Sequence, residues 1–123
     1  MIDLNKLCEI TLENAEKRQA NGGNVTTETR KMLKHCATEV VEAMEAWAGR
    51  TYPDWEYADF DIANNEQAMD IYNEDRAHFA SELADIICCV LIIAGKENID
   101  IEQAINDCIE KNRKRAEGVG DKL

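Results

Sequence analysis

Two pairs of acidic residues stand three positions apart in this chain, Glu39 with Glu42 and Glu82 with Asp85. On a helix, residues three apart are offset by roughly 60° around the axis, so each pair projects from one face. Such a pair alone is commonplace on a solvated helix. Asp85, however, lies between Ala84 and Ile86 at the edge of the most apolar stretch of the sequence. A carboxylate withdrawn from water is disfavoured in its charged form unless a cation compensates it. Two acidic pairs on helices that pack together are therefore expected to share a divalent metal. An all-oxygen donor set suits Mg2+, with Mn2+ able to take its place.

A short internal similarity points the same way. The segment His35-Cys36-Ala37-Thr38-Glu39-Val40-Val41-Glu42 parallels His78-Phe79-Ala80-Ser81-Glu82-Leu83-Ala84-Asp85. His, Ala and Glu recur in place, and the Thr/Ser, Val/Leu and Glu/Asp exchanges are conservative. Two quasi-equivalent helices approaching one centre would produce this pattern. The two histidines precede the carboxylate pairs by one turn. As ligands they would give a mixed nitrogen–oxygen site suited to iron or manganese; as polar residues at the rim they would leave the site all-oxygen.

A third feature is Lys111-Asn112-Arg113-Lys114-Arg115, four cations in five residues of a chain whose formal net charge is −11. Positive charge near a helix C-terminus complements the helix dipole, which accounts for part of the cluster. It does not account for Asn112, whose amide can pair with phosphate, ribose or base. Lys111 and Arg115, four apart, face the same way and can grip one anion. The acidic balance excludes non-specific binding to nucleic-acid polymers or to anionic membrane surfaces. A small polyphosphate escapes that exclusion when a metal and a local basic cluster offset the repulsion.

The elements that must position these residues read as helices. With 123 residues, the chain is expected to form a single domain over 1–123. Its residues are 45% hydrophobic but only 6% aromatic, so the interior must be built from aliphatic, Ala, Met and Cys side chains. One proline and six glycines are too few for a turn-rich β architecture. A first helix is predicted from about Asp3 to Ala20 and is stopped by Asn21-Gly22-Gly23-Asn24. The second is expected to start at Thr26 or Thr27, with the hydroxyl as its cap, and to end near Gly49. No period holds from Arg50 to about Asn73, where Tyr52, Trp55, Tyr57, Phe60 and Tyr72 are scattered and a short helix at 65–72 can form. The third helix is expected over about Glu74–Lys96; its second half is apolar nearly all round and implies burial at the centre of a homo-oligomer. Asp100 caps the fourth, with Gln103 in the reciprocal position, and the helix closes near Gly118 and Gly120.

Five cysteines, an odd number without a CxxC pair, read as small buried hydrophobes in a reducing compartment. The start, Met1-Ile2-Asp3-Leu4, lacks the layout of a signal peptide, and the uninterrupted apolar run Ile86–Ala94 is too short to span a bilayer. A cytoplasmic location is the expectation.

Taken in order, Glu39-x-x-Glu42, then Glu82-Leu83-Ala84-Asp85 in an apolar helix, then Asn112-x-x-Arg115 after a capped fourth helix resemble the MazG-like family of all-α nucleoside triphosphate pyrophosphohydrolases, related to dimeric dUTPases. The resemblance runs from about residue 26 to 118. It implies an all-α, four-helix bundle-like fold, to which this sequence adds a long irregular segment between helices 2 and 3. It implies cleavage of an NTP or dNTP at the α–β bond to monophosphate and pyrophosphate, in a homodimer or homotetramer. Glu39, Glu42, Glu82 and Asp85 would hold Mg2+, with Glu39 or Glu42 as catalytic base. Lys111, Asn112, Lys114 and Arg115 would contact the nucleotide. The chain departs from the family where Thr38 replaces a frequent glutamate and Cys108 a frequent lysine, and the stretch Ala43–Ser81 is longer than usual. Two other classes compete: a carboxylate-bridged di-iron or di-manganese bundle using His35 and His78, against which the absence of Glu-x-x-His spacing counts, and a non-catalytic helical oligomerisation module.

Overall fold

In the computed structural model, the described residues are 2–49 and 76–118, and they form four helices and no strand. These are α1 (Leu4–Ala20), α2 (Thr29–Ala48), α3 (Arg76–Lys96) and α4 (Ile101–Ala116). The fold is all-α. The readings made for residues 50–75, including the aromatic scatter and the short helix at 65–72, lie outside the described residues, as does Gly120.

Local chemistry sets the helix ends. The Asp3 carboxylate accepts from the Lys6 amide at 3.1 Å and Asp100 from the Gln103 amide at 3.0 Å, each satisfying a donor that the first turn leaves free. Gln103 does not reach back to close a capping box; its side chain donates to Asp107 at 2.8 Å instead. The expectation for α2 also needs correction. Glu28 is the N-cap and has no side-chain capping bond, while Thr26 Oγ1 accepts from the Glu28 amide at 3.1 Å within the approach to the helix. Thr27 is buried. Gly49 ends α2 at φ 69°, a left-handed conformation that costs glycine nothing.

Helix α3 is the element on which both α1 and α2 pack. Cys8, Leu91 and Ala94 form a buried cluster joined by Leu7 and Ile101. A Cβ at Gly95 would meet the Cys8 carbonyl oxygen at 3.1 Å and Leu12 at 3.4 Å, so a glycine here lets α1 lie close to α3. The start of α4 is pinned to α1: Asn5 donates to Asp100 at 2.9 Å and accepts from the Glu102 amide at 3.3 Å. Beyond that junction α4 has no buried residue.

The side of α3 away from this core is open in one chain. Leu83, Ile87 and Val90 recur at helical spacing and remain 43%, 58% and 41% exposed, and Ile105 and Ile109 of α4 are exposed as well. Arg76–Lys96 as a whole is long and apolar enough to cross a membrane, although its longest uninterrupted apolar run is shorter. It packs against both α1 and α2, and 17% of its apolar window is buried within one chain.

Candidate functional site

Helices α2 and α3 bring the acidic pairs together. One carboxylate oxygen from each of Glu39, Glu42 and Glu82 falls within 4.8 Å of the others. The side chains of Glu39 and Glu42 are hydrogen-bonded, and Asp85 is close enough for its charge to act on Glu39. The side chains of Cys36 and Cys89 are also hydrogen-bonded. Glu42 thus meets Glu82, Glu39 meets Asp85 and Cys36 meets Cys89, so numbers rise on α3 as they fall on α2. The helices are antiparallel. A local two-fold relates His35/Glu39/Glu42 to His78/Glu82/Asp85, the geometry behind the repeated sequence pattern.

Burial falls on different carboxylates from the one the sequence singled out. Asp85 is exposed despite its apolar neighbours, because its side of α3 opens into the cleft beside Glu39. The withdrawn groups are Glu39, 8% exposed, and Glu82, half-buried. Each has one carboxylate oxygen near a histidine on its own helix: His35 Nε2 lies 2.9 Å from Glu39 Oε1, and His78 Nε2 lies 3.8 Å from Glu82 Oε1. The other oxygen of each, Glu39 Oε2 and Glu82 Oε2, is buried without a hydrogen-bond partner. Orphaned buried acceptors are rare in folded proteins and call for a cation or water.

The electrostatics agree. Burial raises the Glu39 carboxyl above its ordinary range; the hydrogen bond to Glu42 and the charges of Glu42 and Asp85 add to this, while His35 opposes it. Carboxylates this close repel unless a proton or a metal lies between them. The donor set is all oxygen, with two orphaned atoms turned inside. It fits a hard divalent ion held by Glu39, Glu42 and Glu82, with Asp85 at the outer edge.

Beside Glu39 opens a cleft of about 910 Å³ between the C-terminal end of α1, the 24–26 turn, α2 and α3. Arg18, Lys31, Lys34 and His35 line it together with Glu39 and Asp85. Lys31 pairs with Glu28 at 3.5 Å. Sequence reasoning missed these cations. For Lys31 and Lys34 the signal was there in principle, since both precede Glu39 on α2 by one to two turns, as His35 does; Arg18 reaches the cleft only through tertiary packing.

The basic cluster of α4 stands apart. Lys111, Asn112, Lys114 and Arg115 are exposed and line neither this cleft nor the smaller one between α1 and α3. Arg113 is held within its own helix by Glu110 at 2.6 Å and Glu117 at 2.7 Å, and Asn112 Nδ2 donates to Cys108 Sγ at 3.8 Å. Among the described residues, one chain does not bring these four residues to its own carboxylates.

Compared with known families, residues 26–120 match the MazG nucleotide pyrophosphohydrolase domain. The chain belongs to that family. No curated protein and no solved structure matches it. The match covers α2, α3 and α4, and hence every residue of the carboxylate cluster and of the α4 basic cluster. The activity that goes with the MazG domain is hydrolysis of a nucleotide's phosphoric anhydride.

Proposed function

We propose that the protein is a Mg2+-dependent nucleoside triphosphate pyrophosphohydrolase that splits a dNTP or non-canonical NTP at the α–β bond, releasing monophosphate and pyrophosphate. The observation that carries the reading is the pair of buried, partnerless oxygens, Glu39 Oε2 and Glu82 Oε2, one on each of two helices whose carboxylates cluster. Glu39, Glu42 and Glu82 would hold the metal from within and Asp85 from the cleft side, with Mn2+ as a substitute. When bound, such an ion neutralises polyphosphate charge and lowers the pKa of an attacking water.

The residues divide the remaining tasks by position. His35, against Glu39 Oε1, fixes that carboxylate's orientation and leaves Oε2 to the metal. Glu42, half-buried beside Glu39, is placed to take the proton of the attacking water, with Glu39 as the other candidate. Arg18, Lys31 and Lys34 give the cleft a cationic lip, so an anionic substrate gains local attraction on an otherwise acidic protein.

We further propose that the working form is a cytoplasmic homo-oligomer. A second copy seated on Leu83, Ile87 and Val90 would cover the open face of α3. It would also allow Lys111, Asn112, Lys114 and Arg115 of one protomer to serve the nucleotide of another.

A panel of nucleoside triphosphates assayed for pyrophosphate tests the reaction. At least one should yield monophosphate and pyrophosphate in equal amounts with Mg2+ and none with EDTA. Release of orthophosphate alone would contradict the α–β assignment.

A further inference from the structure

Glu39 belongs to two groups of potential ligands. One is the oxygen set with Glu42 and Glu82. The other joins His35, Glu39 and Cys89, whose nitrogen, oxygen and sulfur atoms also lie within 4.8 Å of one another. The first set is hard. The second offers imidazole, carboxylate and thiol, the donor types that favour Zn2+ and its spectroscopic stand-in Co2+ over Mg2+. Nothing in the proposed hydrolysis uses Cys89.

Three observations point from this group toward a ligand. Glu39 is more than nine-tenths buried and keeps one oxygen without a partner. His35 Nε2 already lies 2.9 Å from the other Glu39 oxygen, a separation that two ligands of one metal can share. The cleft of about 910 Å³ is lined by His35, Glu39 and Cys89 alike, so an ion has a route in and solvent can fill a fourth position. The local two-fold does not repeat the arrangement: the residue that stands to His78 as Cys89 stands to His35 is Ala46. The thiol is found at one end only.

We propose that His35, Glu39 and Cys89 form a zinc-class site that inhibits the enzyme by withdrawing Glu39 from the carboxylate cluster. On binding, the Cys89 thiol gives its proton to solvent and a metal–sulfur bond forms, while His35 and Glu39 contribute lone pairs. The inhibitory consequence rests on the hydrolase reading; the site itself does not.

Titration of the metal-free protein with Co2+, read by near-ultraviolet and visible absorption, tests the site. The wild-type protein should develop a thiolate-to-cobalt charge-transfer band, and Cys89→Ser should abolish it. The same variant should retain Mg2+-supported hydrolysis while the Zn2+ concentration for half-inhibition rises at least about tenfold. Should Cys89→Ser not fold, His35→Ala, at an exposed position, should weaken Co2+ binding at least about tenfold in the same titration. A wild-type spectrum without the band, or a band that survives in Cys89→Ser, overturns the site. Zn2+ inhibition unchanged by Cys89→Ser overturns its regulatory role. A cobalt band in a protein that hydrolyses no nucleotide leaves the site standing and removes only the hydrolase reading.

Discussion

His35–Glu39 on α2 and His78–Glu82 on α3 occupy equivalent places in a repeated pattern, yet the two ends of the helix pair differ. His35 lies 2.9 Å from its glutamate and His78 lies 3.8 Å from its own. Glu39 is buried and Glu82 half-buried. Cys89 lies beside the first histidine, and the position of the repeat that corresponds to Cys89 is Ala46. What the two ends share is the buried carboxylate with one unused oxygen. The shared part is what a metal between two antiparallel helices would require, and the unshared part is where the ends can take separate roles: the α2 end faces the cationic cleft, where the proposed substrate would enter, while the α3 end would complete the proposed metal site.

The strongest way to break this comparison is to neutralise each buried acid in turn. Glu39→Gln and Glu82→Gln should each lower kcat/KM by at least about 100-fold, since each would remove a proposed direct ligand where loss of a supporting residue alone costs about 10–100-fold. A large loss for one and none for the other would show that the two-fold does not extend to function. Asp85→Asn should cost less, about tenfold, because Asp85 is exposed at the edge of the cluster; kinetics at several Mg2+ concentrations measure it. The histidines sharpen the contrast. His35→Ala should weaken Mg2+ affinity about tenfold and His78→Ala only a few-fold, as calorimetric titration would report.

The smallest effect is on stability. The Glu39 carboxyl is raised from its ordinary value of 4.5 by burial first, then by Glu42 and Asp85. Between that ordinary value and the raised one, the folded state holds a proton that the unfolded state has lost. The stabilisation from protonated Glu39 is therefore present at low pH and falls away as pH rises through the raised value. Melting of the metal-free protein should show this fall, and Glu39→Gln should remove its share of it. Mg2+, which displaces the proton, should raise the melting temperature more at pH 8 than at pH 5.

Much of this arrangement was legible in the sequence, and the parts that were not share a cause. Spacing placed Glu39 with Glu42 and Glu82 with Asp85, the His-to-Glu repetition implied two similar helices at one centre, and Asp100 announced the start of α4. These are properties of one helix or of its end. Burial is a property of which face meets a neighbour. Ala84 and Ile86 on either side of Asp85 suggested enclosure, but sequence neighbours project from different sides of a helix, and enclosure fell to Glu39 and Glu82 instead. Arg18 reaches the cleft from a helix outside the repeated pattern, and the distance of Lys111–Arg115 from the carboxylates depends on how α4 leaves the core at Asp100. Thr26 shows the same limit at short range, since its hydroxyl bonds the Glu28 amide one position before the helix begins.

The central claim, that the buried acids form one divalent-metal site, is tested most directly by Mn2+ binding followed by electron paramagnetic resonance. The six-line signal of free aqueous Mn2+ should diminish stoichiometrically as wild-type protein is added, Mg2+ should restore it by competition, and Glu39→Gln or Glu82→Gln should fail to diminish it. Equal loss of signal with wild-type protein and with both variants would place the ion elsewhere and contradict the account.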